Sequence, residues 1–257
     1  MSEEQPPLAE PPAPLEPPPS PPERYPFWTW GDVFLFLGLA VASWLVGSLL
    51  VTAVAALAHV HTQGKMGTAE LLAAQAIIYV LAFGGLALLF RIQYDRPFWR
   101  SLAWRGFQMP AVQVALLGVV TAYAVSFLGV LIRTPTTPNE ITRLLDSPTS
   151  LILMAVYGIT MAPVCEELVF RGFLQPLLER SLGATAGILA AALPFGLLHY
   201  REYGNSWRHA VIVAAAGAAF GWMRHRTGST RASALMHAAY NALFFVAMAG
   251  EKAHIWH

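Results

Sequence analysis

From Phe27 onward the sequence is a succession of long apolar runs separated by short polar breaks, and that pattern leaves few folds open. A run of about 20 mostly apolar residues is long enough to cross a bilayer as a helix. In lipid every backbone N–H and C=O must find its partner inside the protein, so such runs fold as helices rather than as open strands. Candidate spans lie at 33–58, 70–90, 110–132, 150–170, 184–200, 210–223 and 232–249. In Phe173–Leu182, Leu174, Leu177 and Leu178 share a face opposite Gln175, Glu179 and Arg180. An amphipathic helix at the interface is expected there, with an eighth span as the alternative. The expected fold class is all-α, a polytopic membrane helix bundle of about seven to eight spans.

Charge supports the same reading. Only 12% of the 257 residues are charged and 56% are hydrophobic, where a soluble domain carries about a quarter charged residues. The net charge of +1 comes without a basic stripe, so the expected partner is the lipid bilayer and not nucleic acid. The single cysteine, Cys165, excludes an internal disulfide framework and a multi-cysteine metal site. Beside a carboxylate it is expected to be a buried small residue and not a reactive thiolate.

Eleven of the nineteen prolines fall in residues 1–26, together with five glutamates. That acidic stretch is the opposite of a secretory signal and cannot bury a core, so a disordered, locally polyproline tail is expected. The organisation follows: a tail over 1–26, amino-terminal membrane helices over 27–147, and a second set of membrane helices over 148–249 that carries the polar groups described next. With seven spans the amino-terminal side receives ten basic residues: Arg24, Arg91, Arg96, Arg100, Arg105, Arg171, Arg180, Arg224, Arg226 and Arg231. The opposite side receives six: Lys65, Arg133, Arg143, Arg201, Arg208 and Lys252. The amino terminus is therefore expected in the cytoplasm. His225, among these arginines, reads as a solvated loop residue, and His254 and His257 lie in the terminal tail.

Three polar groups interrupt the later apolar runs. In Cys165-Glu166-Glu167-Leu168-Val169-Phe170-Arg171 two adjacent carboxylates sit where one charge costs about 2.5–3.5 kcal/mol. Glu167 and Arg171 are four apart and share a helical face, whereas Glu166 is rotated by about 100° and left without that partner. The spacing thus predicts one neutralised carboxylate, Glu167, and one free for solvent or substrate, Glu166, in a setting suited to a general base. His199 follows Phe195 by one turn, so that ring is expected to limit water around the imidazole. Pro194 is expected to break the helix beside them. His237 and Asn241 share a face with alanines between, and two donors converging on a point are what an oxyanion needs. The same pair also suits a polar link between two helices.

In order, EExxxR, FxxxH and HxxxN resemble the CPBP family of intramembrane proteases, which includes the CAAX prenyl endopeptidases and bacterial Abi proteins. The resemblance covers roughly residues 148–249 and matches Glu166, Glu167, Arg171, Phe195, His199, His237 and Asn241. It implies that Glu166 and His199 polarise the attacking water, that His237 and Asn241 stabilise the oxyanion, and that Glu167 and Arg171 support the site. It implies cleavage of a peptide bond near a membrane-embedded or lipid-anchored carboxyl terminus, on a membrane-anchored or lipid-modified protein or peptide. The expected location is a bacterial inner membrane. Glu166, His199 and His237 would also make the two-histidine, one-carboxylate set of catalytic zinc, but HExxH is absent. A metal-independent mechanism requiring no cofactor is expected, with zinc as the alternative. The rival class is a non-enzymatic membrane protein (immunity factor, scaffold or proton-coupled transport component), since proton paths also carry intramembrane charge.

One mismatch stands in this reading. With straight spans, His199 lies about 22 Å from the cytoplasmic side while His237 lies about 8 Å from it, so one helix boundary must differ.

Overall fold

The structure, a computed structural model, describes residues 24–57, 67–135, 145 and 147–253. The tail reading over 1–26 lies outside these but for its last three residues, as do Lys65, Arg143, His254 and His257. Among the described residues all regular structure is helical, with no strand.

Helices α1 (Trp30–Leu57) and α2 (Thr68–Tyr94) form an antiparallel pair, with Phe36 against Phe83 and Gly47 against Ile78. The far face of α1 presents Phe34, Leu35, Trp44 and Leu49, each more than half exposed. That face suits lipid, where exposed apolar side chains carry no penalty. A short turn, α3 (Phe98–Ser101), leads to α4 (Ala111–Leu131). The next apolar stretch is one path in four pieces: α5 (Pro148–Ile159), α6 (Met161–Glu167), π-helical turns over Leu168–Leu174, and α7 (Gln175–Leu182). Ser147 caps α5 by accepting from the Ser150 amide, and Pro148 fills the first position, where its missing N–H costs nothing. Then come α8 (Ala184–Leu198), α9 (Trp207–Thr227) and α10 (Thr230–Ala253).

Five helical stretches are long and apolar enough to cross a membrane: α1, α2, α4, the α5–α7 path and α10 up to Lys252. The other two expected spans are present as helices, α8 being apolar but only 15 residues long. The protein is an integral membrane helix bundle.

The boundaries correct two expectations. Phe173–Leu182 is amphipathic but not peripheral: Gln175 is buried, and its amide donates to the Gly221 carbonyl at 2.9 Å and to Glu179 at 2.8 Å. The cause is tertiary packing, since Gly187 on α8 and Gly221 on α9 bring their backbones against this helix and cover its Gln175 side as well. Pro194 does not break its helix either; α8 runs through it to Leu198. By length α8 rises about 22 Å, so His199 keeps the depth expected of it, and the chain turns back through 199–206. Helix length alone leaves the depth mismatch with His237 in place.

Two contacts fix the pieces around the later helices. Gly118 on α4 lies so close to α10 that a Cβ there would meet the Met236 carbonyl at 2.2 Å, so α4 backs α10 directly behind His237. Ahead of α1, Trp28 is fully buried between Phe90 and Phe173, and its indole N–H donates to the Phe173 carbonyl at 3.0 Å. The chain entering the bundle is thus fastened to the π-helical turns themselves.

Candidate active site

Glu166 and Glu167 end α6, and helical phase sends them to different places. The Glu167 carboxylate is fully buried. Its Oε1 accepts from Arg171 Nη1 at 2.8 Å and from His237 Nδ1 at 3.0 Å, and its Oε2 meets the Ser233 hydroxyl. Arg171 is equally buried. Its Nη2 donates to the Gly217 carbonyl at 2.7 Å, and its guanidinium lies 4.3 Å over the Phe195 ring. Among the described residues Glu166 makes no hydrogen bond; its side chain is 23% exposed, and its Oε2 faces His237 Nε2 at 3.9 Å. The predicted division between a neutralised and a free carboxylate is the arrangement seen.

The two histidines are held by their Nδ1 atoms. His237 is buried, stacked on Phe220 at 4.4 Å, with Nδ1 toward Glu167. His199 caps α8, and its Nδ1 lies 2.8 Å from the Phe195 carbonyl. A carbonyl only accepts, so Nδ1 carries the proton and Nε2 is left as the basic nitrogen. Nε2 lies 3.9 Å from Glu202 Oε2. The Phe195 ring stands 5.0 Å from His199 and 5.9 Å from His237, so it covers both, as its spacing suggested for the first. Asn241, one turn beyond His237, donates its amide to the Gly158 carbonyl at 2.7 Å, tying α10 to α5.

Glu166, Glu167, Arg171, Phe195, His199 and His237 therefore form one cluster, with Asn241 one turn along α10 from His237. His199 joins the others across the Phe195 ring. In the connection after α8, burial pushes the Tyr203 phenol up to about 12, with Glu202 and Glu166 adding to the rise. Cys165 is buried. His225 corrects the loop reading: it stands in the last turn of α9, with Nδ1 3.2 Å from Glu179.

Sequence reasoning gave Glu167 one partner, Arg171, and missed two, Ser233 and His237. Ser233 stands four residues before His237, so the two share a helical face, and that spacing could have revealed them together. Gly217, which accepts from Arg171, carried no signal, since its contribution is a carbonyl. The zinc set fares differently. Among the described residues no group of three His, Cys, Asp or Glu is arranged to hold a metal, and the Phe195 ring stands between His199 and His237.

Gly217 yields a first prediction. A Cβ there would lie 2.7 Å from the Phe195 ring and 2.9 Å from Arg171 Nη2, both held in place. Gly217→Ala should cost about 1–3 kcal/mol, the usual range for overpacking, read as a lower unfolding temperature in detergent. An unchanged unfolding temperature would mean that Arg171 has room to move.

The fold and the cluster define a class, an integral membrane protein with a polar site buried in its helices. Residues 148–243 match the family described as Type II CAAX prenyl endopeptidase Rce1-like. The chain thus carries a domain of the intramembrane-protease group that its motifs resemble, and in general terms it is a membrane endopeptidase. No curated protein and no solved structure matches it.

Proposed function

We propose that the protein hydrolyses a peptide bond near the carboxyl terminus of a membrane-embedded or lipid-anchored substrate, by a metal-independent glutamate mechanism within the core 148–249. The observation that carries this is the free Glu166 carboxylate facing His237 Nε2 at 3.9 Å, beside a Glu167 whose oxygens are fully engaged. Glu166 takes a proton from water, with His199 Nε2 accepting the second hydrogen as a hydrogen bond. The water oxygen adds to the peptide carbon, and the carbonyl oxygen becomes an oxyanion. His237, carrying both protons, donates from Nε2 to that oxyanion; Asn241 donates the N–H that Gly158 does not use. Glu166 then returns its proton to the leaving nitrogen, the C–N bond breaks, and a carboxylic acid and an amine result, the acid's proton passing to the amine as they separate. The balance of loop arginines and lysines supports a cytoplasmic amino terminus, and the resemblance to bacterial Abi proteins supports a bacterial inner membrane.

Comparing carboxyl-terminal fragments in membrane proteomes of wild type and Glu166→Ala tests this. Substrates should accumulate uncleaved in the variant, and identical profiles would sink the protease reading. Asn241→Ala separates it from proton conduction, since an amide does not titrate. Loss of one oxyanion donor should lower turnover about 10²–10³-fold, whereas a proton path would be indifferent to it.

A further inference from the structure

Arg224, in the last turn of α9, is a buried cation that pairs with no carboxylate among the described residues. Its Nε donates to the Thr230 hydroxyl at 3.1 Å and its Nη2 to the Tyr25 hydroxyl at 3.1 Å. A guanidinium has five N–H groups; with two used, three are left without an acceptor among the described residues. Both partners are neutral, and a charge taken out of water is normally paired with an opposite one. The carboxylate at hand, Glu179, is engaged elsewhere: it accepts from the Gln175 amide at 2.8 Å and faces His225 Nδ1 at 3.2 Å. The carbonyl end of α9 favours a cation, but with only a fraction of an elementary charge.

More positive charge gathers around the same turn. Arg105 Nε donates to the carbonyl of Gly228, which caps α9, at 2.9 Å. Thr230, which receives Arg224, fastens the turn through its own hydroxyl to the Leu102 carbonyl at 2.6 Å. Arg180 reaches the carbonyl of Pro26, next to Tyr25, at 2.7 Å. Partly exposed aromatic rings stand at this end of the bundle: Tyr25, Trp30, Trp99 and Trp222. Exposed Trp and Tyr mark the depth of lipid headgroups, so the cations stand where the phosphates of a membrane lie.

We propose that Arg224, with Arg105, holds the phosphate of an anionic phospholipid headgroup at the turn between α9 and α10. Guanidinium forks match phosphate oxygens in shape and charge, and the lipid's negative charge supplies what Arg224 lacks. A zwitterionic headgroup brings its own cation and leaves the charge of the site unbalanced. The bound headgroup keeps Arg224 against Thr230, the first residue of α10. It thereby braces the helix on which Ser233, His237 and Asn241 stand.

The test needs no substrate. The full-length protein in phosphatidylcholine nanodiscs is given increasing phosphatidylglycerol, and its unfolding temperature is followed. The temperature should rise and level off, as with a ligand that binds only the folded state. Arg224→Gln should increase the phosphatidylglycerol content needed for half of that rise by about tenfold or more, and Arg105→Gln by about tenfold, as for a lost charged hydrogen bond. Arg226→Gln, exposed on the same helix end, should shift it less than either. Should Arg224→Gln not fold, Arg105→Gln decides, because Arg105 is exposed and bonds only the Gly228 carbonyl among the described residues. No rise in wild type overturns the site, as does a rise that Arg105→Gln and Arg226→Gln shift equally, which is diffuse attraction to an anionic surface. Glycerol phosphate dissolved around phosphatidylcholine nanodiscs overturns the lipid assignment if it reproduces the rise. So does replacing Glu3, Glu4, Glu10, Glu16 and Glu23 together by glutamine, if that lowers the unfolding temperature in phosphatidylcholine as far as Arg224→Gln does.

Discussion

Replacing Glu166 by glutamine is expected to lower turnover about 10²–10⁴-fold, the usual loss when a general base is removed, and to leave the unfolding temperature where it was. The second half of this expectation follows from the geometry. Among the described residues Glu166 makes no hydrogen bond, and His237 Nε2 lies 3.9 Å from its carboxylate. Glutamine has nearly the same shape, so it breaks no protein contact; it removes only the basic oxygen. Turnover in liposomes and thermal unfolding of the same sample are the two measurements. A variant that melts early while keeping its turnover would mean that Glu166 is structural.

Glu167→Gln should behave in the opposite manner. It removes the only carboxylate bonded to Arg171, whose Nε already lacks a partner. A buried cation stranded in this way typically costs about 3–5 kcal/mol, and the unfolding temperature should fall accordingly. Turnover should fall as well, because His237 Nδ1 loses the acceptor that orients its ring. The charge-swapped pair Glu167→Arg, Arg171→Glu separates the two losses. It restores an ion pair and should recover part of the unfolding temperature. It should not restore turnover, because position 167 would then present a cation to His237 and to Ser233. Full activity in the swapped protein would show that His237 does not depend on Glu167. Wild-type stability in Glu167→Gln would show that the pair holds nothing together.

Much of this was legible in the sequence, and the reason is that it rests on helical phase. Four-residue spacing places Glu167 with Arg171 and His237 with Asn241 whatever the surrounding fold. Phase over one helix says nothing about where separate helices meet, so the Gly217 carbonyl and the link from Asn241 to Gly158 were beyond reach. Nor does phase say what packs on the polar side of a helix: Gln175 reads as outward, and α9 covers it through the Gly221 carbonyl. The meeting of His199 and His237 was beyond reach for the same reason, because it rests on the Phe195 ring between them.

The ring of Phe195 lies against the Arg171 guanidinium, the His199 imidazole and the His237 imidazole at once. Groups in contact through a shared neighbour do not respond independently to change. Deficits from altering Arg171, His199 and His237 one at a time will therefore not sum to the deficit of altering all three, as with other residues that work as a unit. The first substitution will already take most of what can be lost. For a lineage of such chains, this locks the three positions to the aromatic between them, so they can drift only in concert.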